Sequence, residues 1–281
     1  MTPVVWLAAV VAVAAAVRSL YSPCGLSMVS AITPFTEKSR GHRYPVTAAW
    51  FVLGGVLGGL LLGAVCAAGA ALLRLAAPGG IPTAAVLTIA ATLAVLCLCS
   101  DTRVFGISLP LHPRQVDETW LTTYRRWIYA SGFGVQIGSG FATYIMTAAV
   151  YLTAGLAVLT GDPLAALAIG GLFGLCRGLL VLVAATARTP GELRGLHGRL
   201  GALAPVSTAL ALCAQGWVVV AAGGWLLGSA LPAGIAGGLG LVFLLIRSRR
   251  AIASTRSTGQ AGATRRNGVP SREGSNAWQF L

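Results

Sequence analysis

Near the start of the chain the stretch SLYSPCGLSMVSAITPF, residues 19 to 35, carries Ser22, Pro23 and Cys24 in the middle of an apolar run and a second proline, Pro34, at its end. A cysteine thiolate is a nucleophile and the attacking group of disulfide exchange, so Cys24 is the first residue here whose type could do chemistry. A proline inside a membrane span frees a backbone carbonyl, which must find another partner because unsatisfied backbone is costly in lipid. Ser22 is a good N-cap and Pro23 suits a first helical position, so the chain is expected to restart a helix here and run to Thr33, about 15 Å at 1.5 Å per residue. That is half a bilayer, with Pro34 ending it. Cys24 then stands in the first turn of a half-helix, where free N–H groups and the positive end of the macrodipole draw negative charge, while an apolar surrounding opposes it.

A second interruption lies in SGFGVQIGSGFATYIM, where Gln136, Ser139, Thr143 and Tyr144 supply polar groups to another overlong apolar run. Such groups line a site or bond neighbouring helices. Arg177, directly after Cys176, is an ionisable residue inside a span with no acid expected in any span to pair with it; it snorkels to the surface, supports a cysteine thiolate or binds an anion. Arg18, shortly before the first break, poses the same choice. The other cysteines, Cys66, Cys97, Cys99, Cys176 and Cys213, lie in apolar runs without a CxxC pair or a Cys/His cluster, which argues against a disulfide framework and a metal site. His42, His112 and His197 fall between spans as surface residues. No phosphate loop, catalytic triad or paired-carboxylate motif is present, and no cofactor is implied.

The composition sets the medium in which these residues work. Of 281 residues, 56% are hydrophobic and 10% charged, and the mean hydropathy is positive, which points to an all-α polytopic membrane protein. A crossing needs about 20 apolar residues, and seven runs qualify: about 4–35, 44–75, 81–100, 128–158, 163–186, 203–228 and 230–246, the first and fourth too long for one straight helix. The N-terminal run has no basic residue ahead of it and continues into the break, as a span does and a cleaved leader does not. The net charge of +13 comes from arginines in alternate connections: Lys38, Arg40 and Arg43; Arg103, Arg114, Arg125 and Arg126; Arg188, Arg194 and Arg199; and the tail. That distribution excludes a nucleic-acid stripe and sets the N-terminus outside and the C-terminus in the cytoplasm of a plasma (inner) membrane protein of bacterial type.

The organisation reads as a repeat. LGGVLGGLLLG in the second run matches IGGLFGLCRGL in the fifth, sharing Gly54, Gly55 and Gly58 with Gly170, Gly171 and Gly174, and each follows an interrupted run. Three spans separate the copies, so the second enters from the opposite side: a 3+3 inverted repeat with broken first and fourth helices plus an extra C-terminal helix. The transmembrane domain is expected over 1–246, with repeat one about 4–100, repeat two about 128–228 and the extra helix about 230–246; residues 247–281 read as a disordered basic cytoplasmic tail. Val116, Trp120, Tyr124 and Trp127 share one helical stripe before the fourth span, as in a helix lying in the interface.

SPCGLSMVSAITP resembles the first-span motif of the CcdA family, the cytochrome c biogenesis proteins that share a fold with the membrane domain of DsbD. The second motif of that family, approximately G-W-T-P-C-I-G-P, corresponds to Gly132, Phe133, Gly134, Val135, Gln136, Ile137, Gly138 and Ser139, so Gln136 stands where the second cysteine would be. The resemblance implies a membrane thiol–disulfide oxidoreductase that moves reducing equivalents across the membrane, with Cys24 as redox thiol, Pro23 before it, and thioredoxin-like partners on one or both sides. With one motif cysteine, three readings stand: Cys24 pairs with another intramembrane cysteine, such as Cys66, Cys176 or Cys213; it acts alone through mixed disulfides; or the scaffold serves small-solute or ion transport or membrane assembly without redox activity, with Arg177, Ser139 and Thr143 as binding residues. Cys97 and Cys99, two apart on a helix, face different sides and cannot pair with each other.

Overall fold

A computed structural model describes residues 3–103 and 119–228, and within them the protein is all-α. The helices are α1 (Pro3–Ser19), α2 (Pro23–Ala31), α3 (Pro34–Ser39), α4 (Tyr44–Ala76), α5 (Thr83–Thr102), α6 (Trp120–Thr123), α7 (Arg126–Ser139), α8 (Ala149–Leu159), α9 (Pro163–Leu179) and α10 (Pro190–Leu226), with a 3-10 turn, Leu180–Thr186, continuing α9. α4, α5, α9 with its 3-10 turn, and α10 are each long and apolar enough to cross a membrane. α1 and α2 together make a further span bent by 65°. α7 and α8, of 14 and 11 residues, are each too short to cross alone and occupy the position of the fourth span. This is a polytopic membrane protein; the expected helix at 230–246 and the tail at 247–281 lie outside the described residues.

α4 is the spine of the bundle, and glycine makes it so. A Cβ on Gly54 would land on the carbonyl oxygen of Ser131, one on Gly58 on that of Val135, and one on Gly138 on that of Gly55, so α4 and α7 run side by side in the same direction at backbone contact. Turned slightly around the same helix, Gly55, Gly59 and Gly63 meet Gly178, Gly174 and Gly170 of α9 in the opposite direction. Side chains cannot intervene on either face, and van der Waals packing of backbones holds the three helices together in lipid. The corresponding elements α4 and α9, α5 and α10, and α1 and α8 pack in pairs, and the contact of α4 with α7 is matched by that of α9 with α1. Exchanging the two sets of spans therefore leaves the packing pattern unchanged, and the antiparallel run of α4 and α9 is the sense an inverted repeat requires.

Several expectations need correction. α10 begins at Pro190, capped by Thr189 and Glu192 in a reciprocal capping box, so Arg194 and Arg199 stand on a helix and the connection shrinks to 187–189. His197 is on that helix, its Nε2 3.1 Å from the Ser30 hydroxyl of α2, and is not a loop residue. The expected interfacial helix is interrupted: α6 ends at Thr123, Tyr124 and Arg125 are extended, and α7 starts at Arg126. Trp120 and Tyr124 still meet edge to face, 5.4 Å apart, while Val116, His112 and Arg114 lie outside the described residues.

Because backbone cannot yield as a flexible side chain does, Gly174→Ala, whose Cβ meets Gly55 O and the Gly59 backbone, is expected to destabilise the folded protein by about 1–3 kcal/mol. Gly201→Ala, on α10 with nothing within 4 Å, is the control. Thermal unfolding in detergent should show a lower midpoint for the first only; equal midpoints would contradict the spine.

Candidate functional site

The first break has the local chemistry that its residues demand. α1 loosens through single-turn bonds, Leu20 N–H to Val17 O and Ser22 N–H to Ser19 O. Ser22 is then the N-cap of α2, its hydroxyl oxygen accepting the Gly25 N–H at 3.2 Å, and Pro23 takes the first turn. Gly25 is required here, since a Cβ would strike the carbonyl of Leu20. α2 ends at Ala31 rather than Thr33, because Thr33 turns out to cap the next helix, α3, with Pro34 as its first residue. Pro34 thus starts a short helix as well as ending one.

The second break is different in kind. α7 ends at Ser139, Gly140 takes φ 78°, and residues 140–148 are non-helical until α8 resumes. Ser139 and Thr143 are buried in it, the Ser139 hydroxyl donating to Gln136 O at 2.9 Å. Gln136 itself is half-buried within α7, ahead of its break, whereas Cys24 follows its own, so the two positions differ in relation to the helix ends.

The two breaks meet at Arg177. Its side chain, 2% exposed, does not snorkel: it donates to Thr143 Oγ1 at 3.3 Å and lies over the Phe173 ring at 5.4 Å. A Cβ on Gly140 would come within 3.5 Å of Arg177 Nη1. The guanidinium also interacts electrostatically with Cys24, which is 4% exposed. Arg177 Nε has no hydrogen-bond partner among the described residues, where the one ion pair is Arg40 with Glu37. Thr143 and Arg177 therefore meet, Cys24 interacts with Arg177 electrostatically, and Ser139 bonds within its own helix. Buried apolar side chains form two clusters, and Cys24 belongs to neither, while Cys66 and Cys97 lie in one of them and Cys176 packs against it. None of the six cysteines is in a disulfide.

Two acids that carry the site's surroundings escaped the sequence reading. Asp101, assigned to a loop one residue past the third apolar run, is inside α5 and accepts from Thr147 Oγ1 at 2.5 Å, Ala148 N–H at 2.7 Å and Gln215 Nε2 at 2.7 Å. It thereby neutralises the exposed N–H groups at the start of α8. Arg18 reaches Ser207 at 3.2 Å and feels the Asp101 charge, so it too turns inward. Glu37, fully buried, binds Arg40 at 3.0 Å, Thr47 at 2.5 Å and the Tyr129 hydroxyl at 2.9 and 3.0 Å. Since Arg40 also donates to Ala31 O at 3.0 Å, this knot ties the end of α2 to α3, α4 and α7. The Glu37–Arg40 spacing of three was the available signal. Among the described residues no three His, Cys, Asp or Glu side chains converge to hold a metal.

Hydrogen bonds to a charged group contribute about 1.5–3 kcal/mol each, so Glu37→Gln should loosen α2. In a chain whose other five cysteines are alanine, maleimide should label Cys24 several-fold faster in the Glu37→Gln background than in the parent. An unchanged rate would mean that the knot does not restrain α2.

No family model and no solved structure matches the chain. It is similar to curated proteins named methylamine utilization protein MauF. That of Paracoccus versutus is 27% identical over 206 residues, 73% of this chain and 74% of the relative. That of Methylobacillus flagellatus is 29% identical over 179 residues, 62% and 61% of the two lengths, and that of Paracoccus denitrificans 30% over 186 residues, 61% of each.

Proposed function

We propose that the protein is a membrane-embedded thiol–disulfide exchange component, CcdA-like in organisation, in which Cys24 alone is the reacting thiol. The observation that carries this reading is the burial of Arg177, which interacts electrostatically with Cys24 and has no carboxylate to neutralise it among the described residues. A buried cation without an acid is costly, and an anionic sulfur is the counter-charge at hand. The N-terminal end of α2 adds a second favourable field at the same atom.

In this mechanism the Cys24 thiolate attacks a disulfide of a thioredoxin-like partner. An S–S bond forms to Cys24, the partner's bond breaks, and its second sulfur leaves as thiolate and takes up a proton. A dithiol protein then attacks the mixed disulfide, first releasing the reduced partner and joining to Cys24, and its second thiol frees Cys24 while closing its own disulfide. Two electrons pass from the dithiol to the first partner, and Cys24 is regenerated, so a second intramembrane cysteine at position 136 is unnecessary. Arg177, held in place by its bond to the Thr143 hydroxyl, supplies the field for the developing charge, and the burial of Cys24 limits its exposure to water.

The arginine distribution supports a plasma (inner) membrane location with the N-terminus outside and the C-terminus in the cytoplasm. The likeness to methylamine utilization protein MauF supports placing the exchange in a methylamine-utilization system, where the acceptor would be an extracytoplasmic protein. A second reading, a small-anion carrier, draws on the open Nε of Arg177.

Cys24→Ser in the full chain is expected to abolish exchange, and a partner should be trapped as a mixed disulfide on Cys24 after alkylation and non-reducing electrophoresis. Arg177→Gln should slow trapping at least about tenfold, the equivalent of 1.4 kcal/mol, with Arg177→Lys intermediate because it keeps the charge and loses the planar fork. If Cys24→Ser is silent while Arg177→Gln abolishes function, the anion reading replaces this one.

A further inference from the structure

We propose that the face between α3, α4 and the 3-10 turn is a binding site for one anionic phospholipid, with its phosphate at Lys38 and Arg188 and an acyl chain along α4. A cavity of about 870 Å³ follows α4 from Tyr44 to Val56, walled by Pro45, Ala48, Val52, Leu182 and Ala185. At Pro34 and Arg188 it joins a second cavity, of about 600 Å³, lined by Phe35, Lys38 and Ser39. The groove exists because small residues face each other across it and because the chain winds as a narrow 3-10 turn, held to α4 by the Tyr44 hydroxyl donating to Val181 O at 2.8 Å.

Its dimensions suit a lipid. From Tyr44 to Val56 α4 rises about 18 Å at 1.5 Å per residue, close to one leaflet's share of a hydrocarbon core of about 30 Å. The wall is apolar, and Leu53 and Leu182 are each 48% exposed along it. The mouth is positive. Neither the Lys38 ammonium nor the Arg188 guanidinium is in an ion pair among the described residues, the nearby Glu192 carboxylate accepting instead from the Arg188 backbone N–H at 2.8 Å, and the N-terminus of α4 beside them, with Arg43 at its N-cap position, has no side-chain cap. Two cationic side chains outside any ion pair and a positive helix end over an apolar slot of leaflet depth match a phosphate headgroup with its chain. A peptide would leave its backbone unsatisfied against such a wall.

The test uses the full chain in detergent, titrated with dioleoyl phosphatidylglycerol or dioleoyl phosphatidylcholine and read by native mass spectrometry. The expected result is at least tenfold tighter binding of phosphatidylglycerol, reduced to within twofold by Lys38→Gln with Arg188→Gln. Ala185→Trp, which fills the slot, should weaken both lipids, and Arg74→Gln, at the opposite end of α4, should change nothing. Equal binding of the two lipids by the parent, a preference that survives the double substitution, or the absence of any uptake, as when another segment of the chain fills the groove, would each overturn the proposal. Full competition by millimolar inorganic phosphate would also overturn it, assigning the cations to a soluble anion. None of these readouts involves Cys24, so the result is separate from that of thiol exchange.

Discussion

Everything at the centre of this protein depends on two rows of glycine on one helix. α4 has α7 on one side at backbone contact and α9 on the other, through Gly54 and Gly58 in one row and Gly55, Gly59 and Gly63 in the next. In lipid there is little hydrophobic gain from bringing apolar helices together, so close backbone packing has to supply the attraction. The consequence for the site is geometric. α7 carries the second break at its end, α9 carries Arg177, and both are drawn against α4 at a depth where Arg177 reaches Thr143 and interacts electrostatically with Cys24. Bulkier residues in either row would push apart the groups that make the site.

Interrupting two spans inside a bilayer leaves backbone groups without helical partners, and the protein resolves this with three separate polar devices. Ser22 caps the new helix after the first break. Asp101 and Thr147 satisfy the N–H groups at the start of α8 after the second. Glu37, through Arg40, reaches the carbonyl of Ala31 at the far end of α2. Each carboxylate has at least three partners, which is the condition for a charge to be tolerated at membrane depth. Arg177 is the exception, since among the described residues its Nε has no hydrogen-bond partner and its charge interacts with Cys24 and is in no ion pair. A buried cation left incompletely satisfied is what the proposed exchange would draw on.

In the exchange sequence proposed above, the electrons travel in the partners' dithiols, and the membrane protein contributes one sulfur and the field around it. The nearly complete burial of Cys24 then acquires a role: a single thiol kept from solvent is protected from oxidation until a partner or a movement of α2 opens it.

The chain's residues by themselves determined the medium, the limits of three spans and the local form of the first break. Runs of about 20 apolar residues, the arginine spacing and the Ser22-Pro23 pair act over one or two helical turns or through the bilayer, so α4, α5 and α9 with its 3-10 turn begin and end within a few residues of expectation. The 3+3 pattern was legible for the same reason, as spaced glycines in two runs. Partnership across long sequence distances was not legible. Asp101 was one residue past an apolar run and looked like loop, and Glu37 looked like part of a basic connection, until the fold brought Thr147 and Gln215 to the first and Thr47 and Tyr129 to the second. Arg177 had three open destinies in the sequence. Only tertiary structure removed snorkelling from them, because the direction of a long side chain depends on which neighbouring backbone leaves room for it, and here the glycine contacts of α4 and the unwound stretch at Gly140 leave that room in the interior, toward Thr143.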